Sequence, residues 1–136
     1  MKIIVCLDDN GGMMFNNRRQ SRDRILVEDA VRMIGDSRLY IAEYSKILFE
    51  GSNANILIDD RMLDIANEGD FCFVENKPIA DHTSKAEEFI IYRWNRRYPY
   101  DLSFGVDLGK EGFALVSSNE FAGYSHEKIT KEIYRR

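Results

Sequence analysis

A chain of 136 residues with 44% hydrophobic and 31% charged side chains is sized for one domain around one ordinary core, and two prolines leave little room for a linker or disordered tail. Nineteen basic against 23 acidic side chains give a formal charge of −4, which excludes a surface built to attract polyanions and confines any phosphate contact to a local patch. No apolar run approaches the ~18 residues of a membrane span and the opening apolar stretch is too short for a secretory core, so the reading is a cytoplasmic protein without membrane contact.

Lys2 to Leu7 is a continuous apolar run, the pattern of a central strand covered on both faces. It breaks at Asp8-Asp9-Asn10-Gly11-Gly12, where glycine permits a sharp turn, and passes through Met13, Met14 and Phe15 into a basic loop expected to be mobile. From Ser21, a candidate N-cap, apolar residues recur at helical spacing to Ile34, with Asp23 in the first turn and Gly35 as the stop. Arg38 to Ala42, Asn55 to Ile58 and Asp70 to Glu75 read as strands. They alternate with short helices at Glu43 to Phe49 and Asp60 to Asn67, which implies right-handed crossovers and a mainly parallel sheet. Lys77-Pro78 to Ser84 reads as a turn or short loop, followed by strands at Glu88 to Asn95 and Gly112 to Ser117. Ser125 to Tyr134 fits either a helix or a strand face, and strand is preferred because it would finish the sheet antiparallel. Cys6 and Cys72 fall inside strand-like runs and are expected as two buried free thiols. The expected architecture is thus one three-layer α/β domain spanning residues 1–136, its sheet mainly parallel with antiparallel C-terminal strands.

This order of pieces resembles dihydrofolate reductase. Ile4 to Leu7, Gly12-Met13 and the basic loop leading to an acidic helix look like that family's first strand, mobile loop and substrate-binding helix. Arg38 to Ser45 looks like its second strand running into the cofactor-binding helix. Ser84 to Tyr92, Tyr98 to Phe104, Phe113 to Phe121 and Ser125 to Arg135 resemble its final antiparallel strands. The likeness implies a pyridine-nucleotide-linked reductase if the protein is an enzyme, with Asp23 as the catalytic carboxylate. Two phosphate-binding turns depart from it. Ala42-Glu43-Tyr44-Ser45 stands where reductases carry Gly-Arg-x-Thr, and Glu75-Asn76-Lys77-Pro78 stands where they carry Gly-Gly. A glutamate repels phosphate, so the nicotinamide cofactor lacks its usual grips and the cofactor is left open. The sequence also looks like a family of small uncharacterised bacterial proteins sometimes labelled ribonuclease Z, although the His-x-His-x-Asp-His motif of the true metallo-hydrolase is missing.

The resemblance and the arginine cluster together place a small anionic or nucleotide-like ligand on Gly11, Gly12, Met13, Arg18, Arg19, Arg22, Tyr44 and Ser45. Four arginines within seven positions can fork onto phosphate or carboxylate. The plainer reading pairs them with Asp8, Asp9 and Glu28 as a solvated loop, and reads Asp23 as a helix-dipole partner kept ionised by Arg19, Arg22 or Arg24. Asp29, further along the helix, is a solvated backup. Arg93 to Tyr100 interleaves cations with rings, a composition shared by single-stranded RNA platforms, packed hairpins and homodimer patches built on Trp94, Tyr98 and Tyr100. The acidic balance argues against nucleic acid as the main partner. His82 and His126 are far apart with no Cys or His at ligand spacing, so no metal site is expected. Ser125-His126-Glu127 holds triad letters without a nucleophile elbow, a poor basis for hydrolase chemistry.

Overall fold

The computed structural model describes residues 1–136. Ten strands are β1 (Lys2–Leu7), β2 (Gly12–Phe15), β3 (Arg18–Arg19), β4 (Arg38–Ile41), β5 (Asn55–Ile58), β6 (Phe71–Phe73), β7 (Glu88–Arg93), β8 (Leu102–Ser103), β9 (Ala114–Phe121) and β10 (Ile129–Arg135). The α-helices are α1 (Arg24–Ile34) and α2 (Met62–Ile65), with 3₁₀ segments at Glu43–Phe49 and Ala80–Lys85. Seven strands form one sheet in the order β5-β4-β6-β1-β7-β10-β9, and β3-β2-β8 form a small second sheet.

β1 runs parallel to both neighbours, with Lys2 opposite Phe71 of β6 and Glu88 of β7. β10 then pairs antiparallel with β7 and β9, closing the sheet as the sequence implies. Period-two alternation splits β1 between two cores. Ile3, Val5 and Leu7 pack with Met62, Leu63, Ile79, Phe104 and Phe113 on one face. Ile4 packs with Leu26, Ala30 and Ile34 of α1 and with Phe49 and Trp94 on the other. Helical layers therefore cover both faces of the central strands, the arrangement expected of continuous apolar strands.

Four local expectations need correction. The basic loop is a hairpin: Asn16 and Asn17 adopt φ of 52° and 60°, as a type I′ turn requires, and join β2 to β3. Helix α1 is capped by Asp23 rather than Ser21; the Asp23 carboxylate accepts from the Ile25 and Leu26 N–H groups. The Lys77 to Ser84 stretch is a loop only as far as Ile79, after which the 3₁₀ segment Ala80–Lys85 begins. Cys72 is buried, but Cys6 is partly exposed. The two thiols belong to opposite faces of the sheet, since Cys72 packs with Ile3 and Val5 whereas Cys6 packs with Ile4.

Candidate functional site

After β1 the chain crosses through α1 on one face, and after β6 it crosses through Ala80–Lys85 on the other. The carboxyl ends of these adjacent strands are therefore a topological switch point, where an open α/β sheet forms its crevice. Cys6 and Met13 line that crevice from the β1 side, Phe73, Val74 and Glu75 from the β6 side, and Arg19 to Asp23 across its mouth.

One ion pair bolts the crevice. Arg19 donates to both oxygens of Glu75, Nε to Oε2 at 2.8 Å and Nη2 to Oε1 at 3.1 Å. Ser45 Oγ donates to the same Oε1 at 2.8 Å, and Ser45 is fully buried. Tyr44 completes the lock: its hydroxyl accepts from the Arg19 N–H at 2.7 Å, its carbonyl accepts from Arg19 Nη2 at 3.1 Å, and its ring lies 4.4 Å under the guanidinium. Three predicted ligand residues, Arg19, Tyr44 and Ser45, are thus brought together, but they bind one another through Glu75. The space left in the crevice is about 20 Å³, room for about one water. Because the Arg19 side chain is 18% and the Glu75 side chain 9% exposed, Glu75→Ala strands a largely buried cation and should cost about 2 kcal/mol in denaturant unfolding. A double-mutant cycle with Arg19→Ala should return a coupling of about 1–2 kcal/mol; zero coupling would mean the bolt is open in solution.

The other predicted ligand residues scatter. Gly11 lines a separate cavity near Leu7 and Phe104, while Gly12 is buried beneath Tyr100, whose Cβ lies 2.5 Å from where a Gly12 side chain would begin. Met13 is buried at the crevice and Arg18 is exposed on the hairpin. Arg22 is exposed where the crevice opens outward. Asp8 does not pair with the arginines; its carboxylate accepts from the N–H groups of Asn10, Gly12 and Tyr98. Arg24 reaches Glu28 only at 4.0 Å, between exposed side chains.

Asp23 is the hub of a second, buried network. Its Oδ1 accepts from Ile25 N–H at 3.0 Å, Leu26 N–H at 3.3 Å and Tyr124 N–H at 2.9 Å. Its Oδ2 accepts from Ser125 N–H at 2.9 Å and Ser125 Oγ at 3.3 Å, and meets His126 Nδ1 at 2.9 Å. Burial alone pushes the carboxyl pKa up, but the bonds from Tyr124, His126, Ser125 and Leu26 outweigh it and hold the group well below the usual carboxylate range. These partners, not the arginines, keep it charged. The approach requires glycine at 123, where a Cβ would stand 2.5 Å from Asp23 Oδ2. His126 in turn meets Ser21 Oγ at 3.0 Å and Tyr98 Oη at 3.3 Å through Nε2, and its ring stacks on Trp94 at 4.6 Å. Asp29, expected to be solvated, accepts from the Tyr92 hydroxyl at 2.6 Å and pairs with Lys131 at 3.0 Å.

The aromatic segment also needs correction. Trp94 is 4% exposed and belongs to the core, so it presents no patch to a partner. Tyr98 packs partly buried beside it, Tyr100 is 44% exposed, and Arg93 is tied to Glu132 at 2.7 Å. Arg96 and Arg97 are exposed. An RNA platform would therefore lose its central ring and one of its cations.

Outside the crevice a groove of about 870 Å³ runs between α1 and the Ile47 to Asn53 segment, within the range of small-molecule sites. Arg22, Arg24 and Arg32 line it with Ser52, Asn53, Tyr124 and Ser125, opposed by Glu28 and Glu50. Tyr124 is 66% exposed, and Arg24 lies 4.3 Å over its ring. Tyr124 has no sequence signal tying it to a site, whereas Glu75 and His126 are visible in the sequence as a turn departure and a triad letter but without the partners the fold gives them. No group of three or more His, Cys, Asp or Glu side chains converges in metal-binding geometry, and no helix is long and apolar enough to cross a membrane.

No family model matches the chain, and no curated protein is similar to it in sequence. Among solved structures it is similar to dihydrofolate reductase from Enterococcus faecalis, complexed with NADP(H) and RAB-propyl, with a TM-score of 0.67 and 10% identity over 99% of this chain and 95% of that one. The chain has a dihydrofolate reductase-like fold.

Proposed function

We propose that this protein is a cytoplasmic binding domain for a small anionic, nucleotide-like ligand, held in the outer groove beside α1 rather than in the crevice at the strand ends. The observation that carries this reading is the pairing, on one groove wall, of exposed guanidinium groups with an exposed ring at Tyr124. Arginine forks suit phosphate or carboxylate, and a phenol ring presents a stacking face to a base. Glu28 and Glu50 in the same groove disfavour highly charged ligands and favour one with a single anionic end.

Nicotinamide chemistry in the reductase manner finds no support at the crevice. The space beside β1 and β6 is taken by the Arg19–Glu75 pair, and Asp23 has both oxygens committed to protein donors. A homodimer would have to use surfaces other than Trp94, such as Tyr100 or the free edge of β9.

A thermal-shift panel tests the reading. Nucleoside monophosphates should raise the melting temperature, by an amount equivalent to ~2.7 kcal/mol at a hundredfold excess over Kd, and Arg22→Ala/Arg24→Ala should abolish the shift. A panel in which only NADPH or folate stabilises the protein would overturn it.

A further inference from the structure

Beyond ligand binding, we propose that Ser21, His126 and Asp23 form a nucleophilic relay that hydrolyses small carboxylic esters at the mouth of the crevice. The geometry has the required polarity. Asp23 Oδ2 faces His126 Nδ1 at 2.9 Å, and Ser21 Oγ faces Nε2 of the same ring at 3.0 Å. An ionised carboxylate on Nδ1 draws the ring proton to that side, so Nε2 presents its lone pair to the serine hydroxyl. Asp23 and His126 are 3% and 5% exposed, whereas Ser21 is partly exposed and lines the crevice. The nucleophile is reachable while its base is dry. Trp94, stacked at 28° to the imidazole plane, fixes the ring orientation. Ser125 is adjacent in sequence but bonds Nδ1 and Asp23, the wrong side of the ring for a nucleophile.

In the acyl-transfer step Ser21 Oγ attacks the ester carbonyl carbon as its proton passes to His126 Nε2. The new C–Oγ bond pushes the carbonyl π pair onto oxygen. The Arg22 N–H, following the nucleophile in the chain, donates to no protein acceptor, and the N–H after the nucleophile is a recurrent oxyanion donor. Collapse breaks the bond to the alkoxy oxygen, which leaves as the alcohol with the proton from Nε2. Water then attacks the acyl-serine by the same route, releasing the carboxylic acid and restoring Ser21. Tyr98 Oη, 3.3 Å from Nε2, is a second partner for the ring proton once His126 carries it.

The probe is an alkyl fluorophosphonate, which phosphonylates an activated serine by forming Oγ–P and releasing fluoride and a proton. The intact wild type should gain one adduct, mapped to Ser21 by peptide mass, and should hydrolyse p-nitrophenyl acetate. Ser21→Ala should keep its melting temperature within a few degrees, lose the adduct, and hydrolyse the ester ~100-fold more slowly. His126→Gln, checked for folding by circular dichroism, should lose both although Ser21 remains. A folded wild type that gains no adduct, or an adduct that persists in Ser21→Ala, overturns the proposal. Neither readout depends on the outer-groove arginines.

Discussion

Asp23→Ala lowers the stability of the domain by about 4 kcal/mol. The helix cap contributes about 1 kcal/mol of this. The remainder comes from stranding the Tyr124 and Ser125 N–H groups and the buried His126 ring, whose shared acceptor is removed. A loss of this size should lower Tm by about 10–20 °C. Asp23→Asn should cost less, because Oδ1 can still cap α1 while an amide N–H₂ now opposes the Ser125 N–H. An acid serving only as a dipole partner would change stability by about 0.5 kcal/mol in either variant. The sign of the pH dependence follows from the depressed carboxyl pKa. Its contribution is complete above the unfolded-state value near ~4 and is lost as pH falls towards the folded-state value. Wild-type urea midpoints should therefore decline steeply below pH ~4, and those of Asp23→Asn should decline less. Equal slopes would contradict the assignment.

Trp94→Ala carries the second large effect, a loss of about 3–5 kcal/mol from core truncation. The indole fills space against α1 and the end of β1 and also forms the floor on which His126 stacks. The same substitution separates burial from assembly. Because the ring is covered by its own chain, sizing chromatography should give the same oligomeric state for variant and wild type. A change of state with little loss of stability would instead restore Trp94 to an interface.

What the sequence revealed depended on how local the signal was. β1, β4, β5, β6 and β7 are short apolar runs between polar breaks, and each was found within a residue or two. Residues 125–134 were ambiguous because Ile129 and Ile133 fit either period. Pairing of β10 with both β7 and β9 decides for strand, a tertiary fact that periodicity does not contain. The Asn16-Asn17 turn carried a usable signal, since asparagine tolerates positive φ, but the arginines around it drew the reading towards a loop. Glu75 stood out as a departure from the reductase turn, whereas its partner Arg19 lies 56 positions away. Asp23 and His126 are 103 residues apart, and no spacing rule links them. Trp94 leaves packing, interface and RNA readings all open in the sequence because its neighbours Arg93, Asn95, Arg96 and Arg97 are polar, although the inward face of a strand end tolerates such flanks.

The proposal that the outer groove, rather than the crevice at the strand ends, takes the anionic ligand is tested most directly by amide chemical shifts. In a ¹⁵N-labelled sample titrated with a nucleoside monophosphate, the backbone signals of Arg22, Arg24, Ser52 and Tyr124 should move, with those of Tyr44, Ser45 and Glu75 unchanged. NADPH should leave Tyr44, Ser45 and Glu75 unmoved at equal concentration. Saturable shifts of those three residues with NADPH, and none in the groove with the monophosphate, would contradict the account.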